Sequence, residues 1–164
     1  MKPELVQIDL NDDRRYLPCT GMASLAEVLR EEAHLTSVKI GCAEGACGSC
    51  TVILDGEPVL ACLTPALACD GRSVQTIDGP GALANVQQAL RAALCDADAV
   101  QCGMCIPGIV VLVSALVEQG EIRSAGDIPS ALVGSICRCS GYARIVSAIE
   151  QVLVSTLPSH KGIS

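Results

Sequence analysis

Three cysteines crowd into one ten-residue stretch. Gly41 to Cys50 reads GCAEGACGSC, which sets Cys42, Cys47 and Cys50 in a C-x4-C-x2-C pattern, and Cys62 follows after a short hydrophobic run. Thiolates at that spacing are the ligand set of a plant-type [2Fe–2S] cluster, three from one loop and the fourth from a later segment. A cluster with four thiolates is anionic and largely buried. The loop must therefore wrap it closely and aim backbone N–H groups at the sulfurs. Gly41, Gly45 and Gly48 stand around these cysteines, where a Cβ would obstruct positive φ or close backbone approach. A disulfide framework suits the pattern poorly, because nothing marks a secreted chain. A zinc knuckle would use C-x2-C pairs, and the gap from Cys42 to Cys47 is wrong for one.

A second cysteine set lies in the other half of the chain, as Cys102-Gly103-Met104-Cys105 and Cys137-Arg138-Cys139. Each pair precedes an expected helix, at Pro107 and at Tyr142. Helix N-termini there supply free N–H groups and a positive dipole end beside the thiolates. Two such ends facing each other make a four-thiolate site. C-x2-C plus C-x-C admits both a zinc ion and an iron–sulfur cluster, and spacing alone leaves the two open. Cys19, Cys69 and Cys95 match neither set and read as free, mostly buried thiols.

The elements that must position these residues follow from periodicity. Val6, Ile8 and Leu10 alternate with Gln7 and Asp9, a half-buried strand over Leu5 to Leu10, with Arg15 to Leu17 as hairpin partner and Asn11-Asp12-Asp13 as the turn. Ser24 and Glu27 form a capping box ahead of Leu25, Val28 and Leu29. Thr51 to Leu54 and Val59 to Ala61 read as strands joined through Asp55-Gly56, and Val74 to Ile77 as a further strand. Together these make a compact α+β domain over residues 1–77.

Asp78-Gly79-Pro80-Gly81 begins a linker, residues 78–84, after which the period becomes helical over 85–164. Asn85 is positioned to cap a helix carrying Val86, Leu90 and Leu94. Pro107 opens a helix through Val117 that is apolar nearly all round and so belongs at the centre. Asp127 with Pro129 starts a short third helix over Ser130 to Gly134. A fourth runs from Tyr142 to Val154, and the tail from Pro158 reads as frayed.

Composition limits the rest. Half of the 164 residues are hydrophobic, yet Phe and Trp are absent and only Tyr16 and Tyr142 are aromatic, so the core must be aliphatic. Eleven cysteines point to metal. A net charge of −7 argues against nucleic acid or an anionic membrane as partner. Arg14-Arg15 is followed by Tyr16-Leu17-Pro18-Cys19 and not by the apolar region of an export signal. The apolar stretch from Ile106 to Val117 is too short to span a bilayer. A soluble, cytoplasmic protein is expected. No side chain is poised for substrate chemistry. His34 and His160 fall in a polar helix end and in the tail, and no nucleophile–base pair or phosphate-cradling loop is present.

Taken in order, GCAEGACGSC with Cys62, QCGMCIPG (Gln101 to Gly108) and CRCSGY (Cys137 to Tyr142) resemble the iron–sulfur subunit of the molybdenum hydroxylases. These are the relatives of xanthine dehydrogenase, aldehyde oxidoreductase and carbon monoxide dehydrogenase. The resemblance spans nearly the whole chain and turns the second site toward another [2Fe–2S] cluster. It implies a β-grasp ferredoxin-like domain followed by a four-helix domain. It also implies partner subunits, a large one holding molybdopterin as the cytosine dinucleotide and a medium one holding FAD, in a heterotrimer or a dimer of heterotrimers.

Carried over, Cys102, Cys105, Cys137 and Cys139 hold the cluster nearer molybdenum, and Cys42, Cys47, Cys50 and Cys62 the one nearer the flavin. Gln101 matches a position whose side chain touches the pterin, and Cys139 the ligand closest to its ring. Met104, Ile106, Ser135 and Ser140 depart from the residues more usual there (Phe, Thr, Asn and Thr). All four lie beside ligands, where they can alter cluster potential or the partner contact.

The expected function is electron relay from the molybdopterin site through two clusters to FAD. Two other readings compete with it. A freestanding two-cluster carrier would serve an unrelated reductase, although a ferredoxin needs only the first domain. A zinc-stapled adaptor would be colourless.

Overall fold

The computed structural model describes residues 4–80 and 83–156; the tail from Pro158, with His160, and Gly81 of the expected linker lie outside the described residues. Strand β1 (Glu4–Leu10) pairs antiparallel with β2 (Asp13–Cys19), Val6 opposite Leu17 and Leu10 opposite Asp13. Val6, Ile8 and Leu10 are all buried, as their alternation requires. The turn is one residue shorter than expected. Asn11 and Asp12 both take left-handed φ, 53° and 68°, so two residues reverse the chain and Asp13 already pairs.

Helix α1 (Leu25–Glu31) starts at the expected capping box. The Ser24 hydroxyl accepts the Glu27 N–H, and the Glu27 carboxylate accepts the Ser24 N–H at 2.8 Å. Strands β3 (Thr51–Leu54) and β4 (Glu57–Leu60) form a hairpin through Asp55-Gly56, at φ 50° and 90°. Strand β5 (Arg72–Gln75) lies two residues earlier than expected and joins the halves of the sheet, parallel to β1 and antiparallel to β3. The sheet order is β2-β1-β5-β3-β4. A 3-10 turn at Ala66–Cys69, invisible to helical or strand periodicity, buries Ala66 and Cys69 beside it.

The remainder is helical: α2 (Ala84–Asp96), α3 (Ile106–Glu118), α4 (Ile128–Ala131) and α5 (Ala143–Thr156). One capping expectation fails. Leu83, not Asn85, stands at the N-cap of α2, and no side chain caps that end. Asp127 stands at the N-cap of α4 with Pro129 in its first turn, as expected, but its side chain does not cap that helix. Its carboxylate turns back to accept the N–H groups of Arg123 and Ser124, 3.0 and 2.9 Å, in a capping box around the 3-10 turn Ala125–Asp127. The short third helix accordingly ends at Ala131 and does not run over Ser130 to Gly134.

Two aliphatic cores result. One lies between α1 and the sheet and is built on Ile8, Leu25, Leu29 and Val52. The other lies among the helices and is built on Leu90, Leu94, Ile109, Ile145 and Ile149. Helix α3 is the seam. It is buried nearly all round, and Ile53 of β3 belongs to its core. At its N-terminal end Gly108 meets the backbone of Gly48 and Ser49, and beyond its C-terminus Gln119 Nε2 donates to the Gly56 carbonyl at 3.1 Å. Among the described residues, no helix is long and apolar enough to cross a membrane.

Candidate metal centres

The loop before β3 is held in a conformation that turns backbone donors onto sulfur. Ala43, Gly45 and Gly48 take φ of 60°, 79° and 72°. Cys42 Sγ accepts the N–H groups of Glu44 and Ala46 at 3.5 and 3.3 Å. Those donors, that of Glu44 first, bring the Cys42 thiol down from its ordinary 9.0 to about 7. Cys50 is buried at the start of β3, and its Sγ accepts the Cys62 N–H at 3.4 Å. Burial outweighs that donor and pushes the Cys50 thiol up to about 11. Cys42 interacts directly with Cys47, and Cys50 with Cys62. Gly41 borders this site, and a Cβ on it would lie 3.0 Å from Cys47 Sγ.

The second set is assembled by the two helix starts. Cys105 stands at the N-cap of α3, and Cys137 and Cys139 lie on the turn entering α5. Cys139 Sγ donates to Cys102 Sγ at 3.5 Å, and Cys105 interacts with Cys137. The Met104 N–H draws the Cys102 thiol down, and the bond to Cys102 holds the Cys139 thiol up. Burial pushes the Cys105 thiol up to about 12. At Cys137 burial opposes the thiolate, but Ser140 and neighbouring backbone donors outweigh it and the thiol comes down. Cys102 and Cys139 are exposed, and the Gln101 Nε2 donates to the Cys139 carbonyl at 3.4 Å. Gly103, at φ 77°, faces open space between the two cysteines that flank it.

Both sets show thiols in facing pairs, which suits a two-iron cluster, since each iron takes two thiolates. Among the described residues no three or more Cys, His, Asp or Glu side chains converge as the shell of one metal ion. The donor set is all sulfur, partly buried, and supplied with N–H groups that favour the thiolate. These residues fit the group.

Several residues at the sites carried no motif signal of their own. The Ile136 N–H donates to the Cys47 carbonyl at 2.9 Å, joining the two thiol loops. The Tyr142 hydroxyl accepts the Cys137 N–H at 2.8 Å and donates to the Ser135 carbonyl at 2.9 Å. Ser135 Oγ is buried without a partner among the described residues, beside a cavity of about 200 Å³ lined by Gly45, Gly48 and Gly134. The resemblance marked Ser135 as a departure and Tyr142 as the end of CRCSGY, but neither of these contacts was visible in it. Cys19 and Cys69 are buried thiols, both pushed up by desolvation, whereas Cys95 is exposed on α2, against expectation. It falls outside the buried stripe of Gln87, Leu90 and Leu94.

Comparison with known proteins agrees with this geometry. Residues 13–90 match the family described as 2Fe-2S iron-sulfur cluster binding domain, and residues 76–150 the [2Fe-2S] binding domain. The chain is 36% identical over 146 residues to the nicotine 6-hydroxylase small subunit of Paenarthrobacter nicotinovorans, covering 88% of this chain and 86% of that one. It is 37% identical to the nicotinate dehydrogenase small FeS subunit of Eubacterium barkeri, covering 88% and 92%. A crystal structure of quinoline 2-oxidoreductase from Pseudomonas putida 86 superposes with a TM-score of 0.85 at 30% identity, covering 94% of this chain and 96% of the matched one. The chain is therefore a two-cluster iron–sulfur protein of α+β fold whose work is electron transfer. It belongs to the iron–sulfur subunits of the molybdenum hydroxylase family, in which catalysis takes place on another subunit.

Proposed function

We propose that Cys42, Cys47, Cys50 and Cys62 hold one [2Fe–2S] cluster, that Cys102, Cys105, Cys137 and Cys139 hold the other, and that the pair relays electrons from a molybdopterin site to FAD. When bound, each cluster accepts and releases one electron. The observation that carries this reading is the 2.9 Å bond from the Ile136 N–H to the Cys47 carbonyl, which brings a thiol of each set within one hydrogen bond and a short run of backbone. The paired thiols favour two irons per site over a single zinc ion.

The chain's own residues hold the sites at different depths. Cys50 and Cys105 are buried, which keeps water from the inner pair of each site. Cys102, Cys139 and Gln101 lie exposed together, the face a large molybdopterin-binding subunit would cover, with Gln101 toward the pterin. The two aliphatic cores, which meet where Ile53 and Ile77 join the helical one, support a β-grasp ferredoxin-like domain over residues 1–77 and a four-helix domain over 85–164, with 78–84 between them. The partners are a large subunit with molybdopterin cytosine dinucleotide and a medium subunit with FAD, in a heterotrimer or a dimer of heterotrimers in the cytoplasm. Neither nucleic acid nor a membrane is among them.

Metal stoichiometry of the tagged chain, purified gently with whatever accompanies it, tests this reading. The expected result is about four iron and one molybdenum per chain without zinc. Four iron with no molybdenum and no large partner would instead favour the freestanding carrier. Zinc in place of iron would overturn the reading.

A further inference from the structure

Hydrogen bonds to a cluster's sulfurs favour its reduced, more negative state and raise its potential. At the first site Cys42 and Cys50 accept backbone N–H groups, which no side-chain substitution removes, and the Ser49 hydroxyl lies 3.6 Å from Cys47 Sγ. At the second site a side-chain hydroxyl comes closer to sulfur and is itself oriented. Ser140 Oγ lies 3.2 Å from Cys137 Sγ, and the same oxygen accepts the Tyr142 N–H at 3.2 Å. A metal-bound thiolate carries no proton, so between Oγ and Sγ only the hydroxyl can donate. The Tyr142 N–H occupies a lone pair of Oγ, which turns the hydroxyl proton away from that amide and toward sulfur.

The donor is also held in place from both sides. The Tyr142 hydroxyl accepts the Cys137 N–H at 2.8 Å and donates to the Ser135 carbonyl at 2.9 Å. The backbone N–H of Cys137 is thereby committed to a phenol. Ser140 is left as the side-chain donor to this sulfur. Cys137 is, besides, next to Ile136, whose N–H reaches the loop of the other site.

We propose that Ser140 is a potential-setting residue: its hydroxyl, oriented by the Tyr142 amide, donates to Cys137 sulfur and raises the reduction potential of the cluster on Cys102, Cys105, Cys137 and Cys139. This rests on the ligand assignment proposed above. The consequence is that the potential of this cluster is tunable through a single side chain.

The test compares Ser140→Thr, which keeps a hydroxyl, with Ser140→Val, its near-isostere without one, in the complex as purified. Iron is counted first, and each electron paramagnetic resonance signal is then titrated with dithionite. The expected result is four iron in all forms, a wild-type-like midpoint in the Thr variant, and a more negative midpoint for one signal only in the Val variant. Equal midpoints in Thr and Val variants at full iron content would overturn the proposal while leaving the ligand assignment intact. Ser140→Ala serves as a smaller second variant. Loss of iron from both hydroxyl-free forms, with iron retained in the Thr form, would make the hydroxyl an assembly requirement and likewise overturn a tuning role. Absence of iron from the wild-type chain would sink the ligand assignment itself.

Discussion

The Ile136 amide donates to the Cys47 carbonyl at 2.9 Å, so the loop carrying Cys42, Cys47 and Cys50 is pinned to the segment entering Cys137. One peptide bond separates Ile136 from Cys137. Removing this donor with Ile136→Pro should cost about 1–3 kcal/mol in unfolding free energy, because it leaves a carbonyl without its partner. It should also slow electron passage between the two sites. Rapid-freeze electron paramagnetic resonance during reduction would follow both signals, and unchanged relative rates would argue against this contact as the route.

The ligand assignment predicts independent losses. Cys42→Ser and Cys137→Ser should each remove or distort one paramagnetic signal and spare the other, while Cys19→Ser, a buried thiol that belongs to neither ligand set, should leave both. Joint loss from either ligand variant would contradict two separate sites. Loss of a signal from the Cys19 variant would show that the ligands are wrongly chosen.

A Cβ on Gly108 would run into the backbone of Gly48 and Ser49, and a Cβ on Gly48 into that of Gly134 and Ser135. Gly108→Ala should lower stability by about 1–3 kcal/mol through overpacking. Gly48→Ala adds the cost of a side chain at φ 72° and should be worse. Gly103→Ala shares the left-handed backbone but faces open space, so only a conformational cost of about 1–2 kcal/mol remains. Thermal unfolding of the three variants should rank them with Gly103→Ala ahead of Gly48→Ala, and the reverse order would contradict the close packing.

Acid should loosen the molecule through Asp127 and Asp55. The Arg123 and Ser124 donors hold the Asp127 carboxyl below its ordinary 3.8, and Arg72 with the Ser73 N–H does the same for Asp55. A folded-state value below the unfolded one favours the charged form. The stabilisation is thus full above 3.8 and is lost as pH falls through the folded value. Asp127→Asn should therefore be less stable than wild type near neutrality, with the gap in urea midpoint closing only as pH falls below 3.8 through the folded value. A gap independent of pH would show that the caps do not depend on charge.

Much of the architecture was legible where one short-range rule acts alone. The Ser24–Glu27 capping box, the Asp55-Gly56 turn and the alternation of Val6, Ile8 and Leu10 all appear as expected, since each depends on residues within a few positions. Expectations failed where two local rules compete. Asp127 starts the helix after it as expected, but its side chain caps the 3-10 turn before it, and the helix ends at Ala131 short of Gly134. Asn85 lost the N-cap of α2 to Leu83, where the chain enters the helix two residues earlier.

By itself the sequence determined the thiol inventory, the glycines that let a loop close around sulfur, and the helix starts beside the second cysteine set. Ligand spacing and N-terminal dipoles are local properties, carried by residues close in the chain. Only the tertiary structure decided which thiols face which, that Cys50 and Cys105 are buried while Cys102 and Cys139 are exposed, and that Ile136 reaches Cys47. These depend on how α3 wedges against β3, bringing together residues 89 positions apart in sequence. Burial and long-range hydrogen bonding arise only once two surfaces meet, and no pattern along one strand or helix encodes the meeting.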